Sequence, residues 1–328
     1  MRRAVALLAA ALLLAGVAGC GGSGAEPGAP KGATVVLDFT PNAVHSGIYA
    51  AQAEDFYSGA GIDLQIQVPG ESTDAPKLLA AGRTDFAILD ITDLGIADEK
   101  GLELVGVMPI VQAPLAAVLA RRDGPVKRPR DMVGHQVGVT GLPSDTAVVR
   151  SEVAGDGGDP DGVDEVTIGF NAVTSLAAGK VDAATGFWNA EAVEAERNGI
   201  PLRVFKVDEY GAPHYPELIL TTTRKVVEDE PEFVVSMIEA TRKGYEFTEE
   251  HPQKALGDLL AANKGLEAAD QEAQLKVLLP DLKPKPFDNQ VLNEWSIWAS
   301  SHGLLPKRLD VYKWFEVFPS AIEESGGE

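Results

Sequence analysis

Four short segments carry the side chains best suited to chemistry: FTPNAVH (39–45), DITD (90–93), TGLPSDT (140–146) and FWNAE (187–191). They combine aromatic rings, amides, hydroxyls and carboxylates, and contain neither lysine nor arginine. That mixture suits the capture of a flat polar heterocycle better than the capture of a bare anion. Phe39 and Trp188 offer ring faces for stacking, each worth roughly 0.5–1.5 kcal/mol beyond burial. Asp90 and Glu191 are placed to accept hydrogen bonds from an exocyclic amine, Glu191 bidentately if a ring nitrogen is protonated. Asn42 and Asn189 can donate and accept toward ring nitrogens or carbonyls. Thr92 aligns with Asn189 in the repeat described below. Ser144 and Thr146 stand at a helix start after Pro143, where free N–H groups welcome a polar substituent. His45 lies one turn into the first helix, within reach of the same region.

Each of these residues has a structural alternative. Phe39 and Trp188 are equally suited to core packing. Asn42, Asn189, Asp90 and Ser144 are good helix caps. Glu191 fits the first turn of a helix, where the macrodipole favours an acid. His45 would serve as a structural histidine bonded to a neighbouring loop, and Tyr49 reads as core.

Other chemistries find little support. Histidines 45, 135, 214, 251 and 302 lack zinc-ligand spacing, and Cys20 is the single cysteine. The acidic stretch GDGGDPDGVD (155–164) lacks the register of a calcium loop. Neither a nucleophile elbow nor a Walker loop occurs. We therefore expect no catalytic residue, no metal and no cofactor. Trp295, Trp298 and Trp314 read as helix core.

A repeat organises the elements that must position these segments. LAAGRTDFA (79–87) returns as LAAGKVDAA (176–184). Each copy predicts a helix ending at glycine, then a turn, then a buried strand: 86–89 and 183–187. Upstream strands are expected at 34–39 and 136–140. The first unit also predicts a helix over 44–57, a strand over 64–68 and a helix over 74–81. A further helix is expected over 190–198. Alternating strands and helices imply parallel α/β layers, here in two similar lobes. Strands at 115–121 and 218–223 are expected to cross between the lobes as a hinge. The remainder is helical and is expected to pack back on the first lobe. Lobe 1 thus spans 33–121 and 218–328, and lobe 2 spans 122–217. Ligands of open α/β sheets bind beyond the carboxyl ends of strands, which is where the four segments fall.

Charge and the amino-terminal segment narrow the setting. With 28 basic and 49 acidic side chains, the formal net charge is −21. A balance that acidic disfavours nucleic acid and polybasic membrane contact. Arg2 and Arg3 precede an uncharged apolar run from Ala4 to Val17, then small residues and Cys20. Residues 1–19 read as a signal peptide, and residues 20–32 as a Gly/Pro/Ala linker. The pattern resembles a bacterial lipoprotein signal, which implies cleavage before Cys20 and lipidation of its sulfur.

LDFTPNAVHSGIYAA (37–51), LLAAGRTDFAILD (78–90) and GKVDAATGFWNAEAVEAERNGIPLRVF (179–205), in this order and spacing, carry a wider resemblance. Residues 33–328 resemble the extracytoplasmic binding proteins of ABC transporters that take up pyrimidine precursors of thiamine. That family is related to fungal thiamine-pyrimidine synthases and to sulfonate and nitrate binders. The resemblance implies an α/β, two-lobed periplasmic-binding-protein type II fold with two crossing hinge strands. It implies a monomeric, lipid-anchored protein that binds an aminopyrimidine and delivers it to a permease. A sulfonate, nitrate or riboflavin-type ligand is the alternative within the fold, and a pyrimidine synthase-like enzyme the alternative outside it. The related fungal enzymes carry a cysteine-rich motif that this chain lacks. The chain also departs from the pyrimidine branch at Phe39, where tryptophan is common.

The lipid assignment is tested by Cys20→Ala. Metabolic labelling with a fatty acid should mark the unaltered protein and not the variant, which should leave the membrane fraction.

Overall fold

The computed structural model describes residues 30–70, 74–141 and 143–318. The expected signal peptide, Cys20 and most of the linker lie outside these residues. Its last residues do not: the first strand begins at Lys31, before the expected lobe boundary.

In chain order the first half comprises β1 (Lys31–Val36), α1 (Ser46–Ala53), α2 (Phe56–Gly59), β2 (Ile62–Gln67), α3 (Asp74–Ala80), β3 (Phe86–Asp90), α4 (Ile91–Glu99) and β4 (Leu104–Pro109). The middle comprises β5 (Ala116–Arg121), β6 (Gln136–Val139), α5 (Pro143–Gly155), β7 (Asp164–Thr167), α6 (Ala172–Ala177), β8 (Ala183–Phe187), α7 (Glu191–Arg197) and β9 (Leu202–Lys206). Then follow β10 (Leu218–Thr223), α8 (Arg224–Asp229), α9 (Pro231–Glu250), α10 (Pro252–Ala262), α11 (Ala268–Leu278), α12 (Asn289–Ser301) and α13 (Val311–Trp314).

Two five-stranded sheets result, in the orders β2-β1-β3-β10-β4 and β7-β6-β8-β5-β9. Each has four strands running in one direction and one inserted strand, β10 or β5, that runs antiparallel to both its neighbours. The central strands are buried on both faces, as parallel sheets covered by helices require; Phe86 to Leu89 are all buried.

The sequence repeat has a structural reason. Gly82 and Gly179 both adopt φ +64°, closing α3 and α6 in left-handed caps that a Cβ would strain. The aspartate that follows each cap reaches the backbone of the neighbouring parallel strand. Asp85 accepts from the Thr34 amide at 2.8 Å, and Asp182 from the Gln136 amide at 3.4 Å. Leu-Ala-Ala-Gly-basic-x-Asp is therefore a unit that ends a helix and sets strand register.

Several expectations are revised. The helix expected over 44–57 is divided. A single 3-10 turn occupies Ala43–His45, α1 follows, and Asp55 breaks the chain at φ 60° before α2. The break lets Tyr57 turn inward, where its hydroxyl meets Thr241 at 3.0 Å. The hinge strands expected to cross between lobes lie in opposite sheets: β5 pairs with β8 and β9, β10 with β3 and β4. The irregular segments just before them make the crossing. There Ile110 donates to the Leu218 carbonyl at 2.7 Å, and Glu217 to that of Val111 at 3.1 Å. α9 and α10 pack on α1. α11 and α12 reach the second lobe as well: Asp270 pairs with Arg197 on α7, and the Trp298 indole donates to Ser151 on α5 at 2.9 Å.

α1 and α9 approach closely because glycines face each other. A Cβ at Gly244 would lie 2.1 Å from the Gly47 carbonyl oxygen and 2.6 Å from the Ala51 Cβ. Both obstacles are rigid, so the helices must separate to accept it. Gly244→Ala should lower the unfolding free energy by about 1–3 kcal/mol or more, measured by denaturant titration. A neutral result would mean that the helices are not in this contact.

Candidate functional site

The carboxyl ends of β1, β3 and β8 face one another across the lobes and bound a cavity of about 350 Å³, inside the usual range of roughly 300–1,000 Å³ for small-molecule sites. Phe39 from the first lobe and Phe170 from the second meet at its edge, their ring centroids 5.9 Å apart and tilted by 49°. Phe187, at the end of β8, lines the same space. A smaller chamber of about 130 Å³ adjoins it, and Asp90, Phe170, Phe187 and Glu191 border both.

Of the residues expected from sequence, Phe39, Asn42, Asp90, Asn189 and Glu191 line the larger chamber. Thr92 and Ser144 line the smaller one with Asp90 and Glu191. Structural and site roles coexist in several of them. Asn42 caps the 43–45 turn, its Oδ1 accepting from the Val44 amide at 3.0 Å. Asp90 caps α4, accepting from the Thr92 amide at 2.6 Å. Glu191 accepts from the Phe187 amide at 2.8 Å.

Three of the expected residues, Trp188, His45 and Thr146, border neither chamber. Trp188 lies outside both chambers. It is buried, its indole donates to the Pro114 carbonyl at 2.8 Å, and the Lys206 ammonium sits 3.8 Å from its ring centroid. The chain leaving β8 turns successive side chains to opposite sides, so Phe187 takes the cleft and Trp188 the packing behind it. His45 is fully buried and borders neither chamber. Its Nδ1 accepts from the Asn42 amide at 3.2 Å, which leaves the proton on Nε2 to donate to Asp38 Oδ1 at 2.8 Å. His45 thus positions Asp38, which does line the cavity. Thr146 donates to Glu165 at 2.6 Å and is likewise outside. Tyr49 is buried in the core, as expected.

Sequence reasoning missed Asp38, Asp93, Phe170, Glu217, Gln271 and Gln274, all of which border one chamber or the other. Asp38 and Asp93 were within reach of it, being the first polar residue after β1 and the residue one turn beyond Asp90. Glu217, a lone acid before an apolar strand, and the two glutamines of α11 carry no local signal.

The electrostatics are one-sided. Asp38, Asp90, Asp93, Glu191 and Glu194 line the larger chamber, and Asp145 and Glu217 the smaller, with no lysine, arginine or histidine among the lining residues. Burial, then the charges of Asp90 and Asp38, push the Asp93 carboxyl up to about 7. Burial first, and the nearby Asp90 second, hold Glu217 well above the ordinary carboxylate range. Burial also raises Glu191 and Asp145. A positively charged or donor-rich guest relieves this crowding, and an anion aggravates it. Three buried amide oxygens, Asn189 Oδ1, Gln271 Oε1 and Gln274 Oε1, have no hydrogen-bond partner. Among the described residues no group of three or more His, Cys, Asp or Glu side chains is arranged to hold a metal ion.

Comparison with known proteins agrees with this architecture. A family model described as NMT1/THI5 like matches residues 42–255. A formylaminopyrimidine-binding protein of Halalkalibacterium halodurans is 32% identical over 281 residues, covering 83% of this chain and 85% of the relative. A 4-amino-5-hydroxymethyl-2-methylpyrimidine phosphate synthase of Legionella pneumophila is 25% identical over 225 residues, 68% of this chain and 71% of that one. Among solved structures, the periplasmic aliphatic sulphonate binding protein SsuA of Escherichia coli superposes with a TM-score of 0.72 at 16% identity, covering 87% of this chain and 92% of that chain. At that identity the likeness establishes the fold, which is that of a periplasmic binding protein.

The raised Asp93 carboxyl predicts a pH dependence. Its ordinary value is 3.8 and its folded value about 7. Between the two, the unfolded chain has released the proton that the native protein keeps, so stability falls as pH rises through this window. Asp93→Asn should raise the melting temperature of the ligand-free protein more at about pH 8 than at about pH 5. Equal shifts at both would mean that Asp93 titrates normally.

Proposed function

The chain belongs to the NMT1/THI5-like family, and from that membership we propose that it is the extracytoplasmic solute-binding component of an ABC importer. Its ligand is an aminopyrimidine precursor of thiamine, of the hydroxymethyl or formylaminomethyl type. The observation that carries this reading is the cleft itself: aromatic at its edge, acidic throughout and free of cationic side chains.

An aminopyrimidine answers each feature. Its faces stack on Phe39, Phe170 and Phe187. Its amine donates to carboxylates of Asp90 and Glu191, and a protonated ring nitrogen strengthens that pairing. Because these residues come from both lobes, the ligand favours the closed arrangement over the open one, and closure is a population shift. The closed form then docks on a permease. Lipidation at Cys20 would keep the protein at the outer face of the membrane as a monomer. The protein acts by binding, without cofactor and without turnover. The synthase reading has less support, since neither chamber presents a cysteine or histidine. The sulfonate reading conflicts with the same acidic walls.

Isothermal titration with aminopyrimidines, thiamine, riboflavin, taurine and nitrate tests the proposal. Aminopyrimidines should bind, and Glu191→Gln should weaken them at least tenfold, about 1.4 kcal/mol. Preference for taurine or nitrate, or undiminished binding by the variant, would overturn the assignment.

A further inference from the structure

Helix α11 forms a third wall of the cleft and belongs to neither sheet. It packs on the 43–45 turn of the first lobe and on α7 of the second. Asp270 anchors it to the second lobe through Arg197. The next residue, Gln271, and Gln274 three positions on share one helix face, and both border the larger chamber. They are 7% and 8% exposed, and each carries an amide oxygen without a partner. Asn189, 2% exposed and just before α7, is in the same condition and borders the same space.

Buried amides without partners are costly, and folded proteins keep few of them. Here three are gathered around one cavity. The carboxylates of Asp90 and Glu191 border both chambers, whereas Gln271 and Gln274 border the larger one alone. A ligand whose amine is held by these acids presents its other substituents to the remaining walls.

We propose that Gln271 and Gln274 are specificity-determining residues that read a hydrogen-bond donor on the ligand's ring substituent, an O–H or an amide N–H. This rests on the aminopyrimidine reading and adds to it a reason to prefer substituted rings. A ring bearing only methyl leaves the two amides unsatisfied and gains nothing from them. Sites built to hydrogen-bond a substrate group discriminate strongly against analogues that lack it, because their own polar atoms are then stranded. The ion pair between Asp270 and Arg197 joins α11 to the second lobe, while the 43–45 turn packs it on the first.

The test compares three aminopyrimidines, differing at one ring position: hydroxymethyl, formylaminomethyl and methyl. Calorimetric titration of the unaltered protein should show each donor-bearing ring bound at least about tenfold more tightly than the methyl ring. Gln271→Leu and Gln274→Leu should each shrink that ratio, and the double variant should bring it near unity. Gln271→Glu and Gln274→Glu keep an acceptor and should retain it, which separates hydrogen bonding from a packing defect. A ratio unchanged in both leucine variants, or lost equally in the glutamate variants, would overturn the inference while leaving the aminopyrimidine reading in place. Failure of all three rings to bind the unaltered protein would overturn both.

Discussion

The Glu217 carboxyl is buried where the chain crosses between lobes, and much of the cleft depends on how it is satisfied. One oxygen accepts from the Leu115 amide at 2.7 Å, on the outgoing crossing. The Glu217 backbone binds Val111 on that crossing and Ile91 at the start of α4. Burial first, and its contact with Asp90 second, favour the protonated form of this carboxyl. A single residue thus joins the outgoing crossing, the returning crossing and the acid at the end of β3. An ionised Glu217 beside Asp90 would crowd like charges into a poorly solvated pocket, which is what holds its carboxyl well above the ordinary range.

From that junction the acidic character of the site follows. The strands deliver Asp38, Asp90 and Glu191 to one cavity, and helix starts hold two of them in place: Asp90 caps α4, and Glu191 folds back on the Phe187 amide. Capping ordinarily stabilises a carboxylate. Burial works in the opposite sense, as the raised Glu191 shows. The ligand-free cleft is therefore an electrostatically crowded space, and an amine-bearing guest removes a strain that the fold itself maintains.

Local signals recovered the elements well and the side-chain directions less well. The repeated Leu-Ala-Ala-Gly unit was legible because its glycine and aspartate do the same work in both lobes. Strand ends pointed to Phe39, Asp90 and Glu191. Trp188 and Phe187 are adjacent in sequence and opposite in direction, and nothing in the sequence says which faces the ligand. His45 was near the site in the chain and in space, yet its ring is used up by Asn42 and Asp38. Gln271 and Gln274 were invisible because their role depends on where a distant helix docks. The division of the 44–57 helix at Asp55 was hidden for the same reason: it serves a contact with Thr241 on α9.

The sheet orders have a consequence for the order of assembly. Every strand of the second sheet lies within residues 116–206, one uninterrupted stretch. The first sheet instead holds β10 between β3 and β4, and β10 is its last strand to be synthesised. Until residues 218–223 exist, β3 and β4 have no strand between them, and their backbone groups on that side are unpaired. The second lobe can complete its hydrogen-bonded sheet while the first is still open, although the first leads in the chain. A nascent chain therefore carries an exposed, half-built first sheet from the end of β4 until β10 is made, the condition in which strand edges invite aggregation.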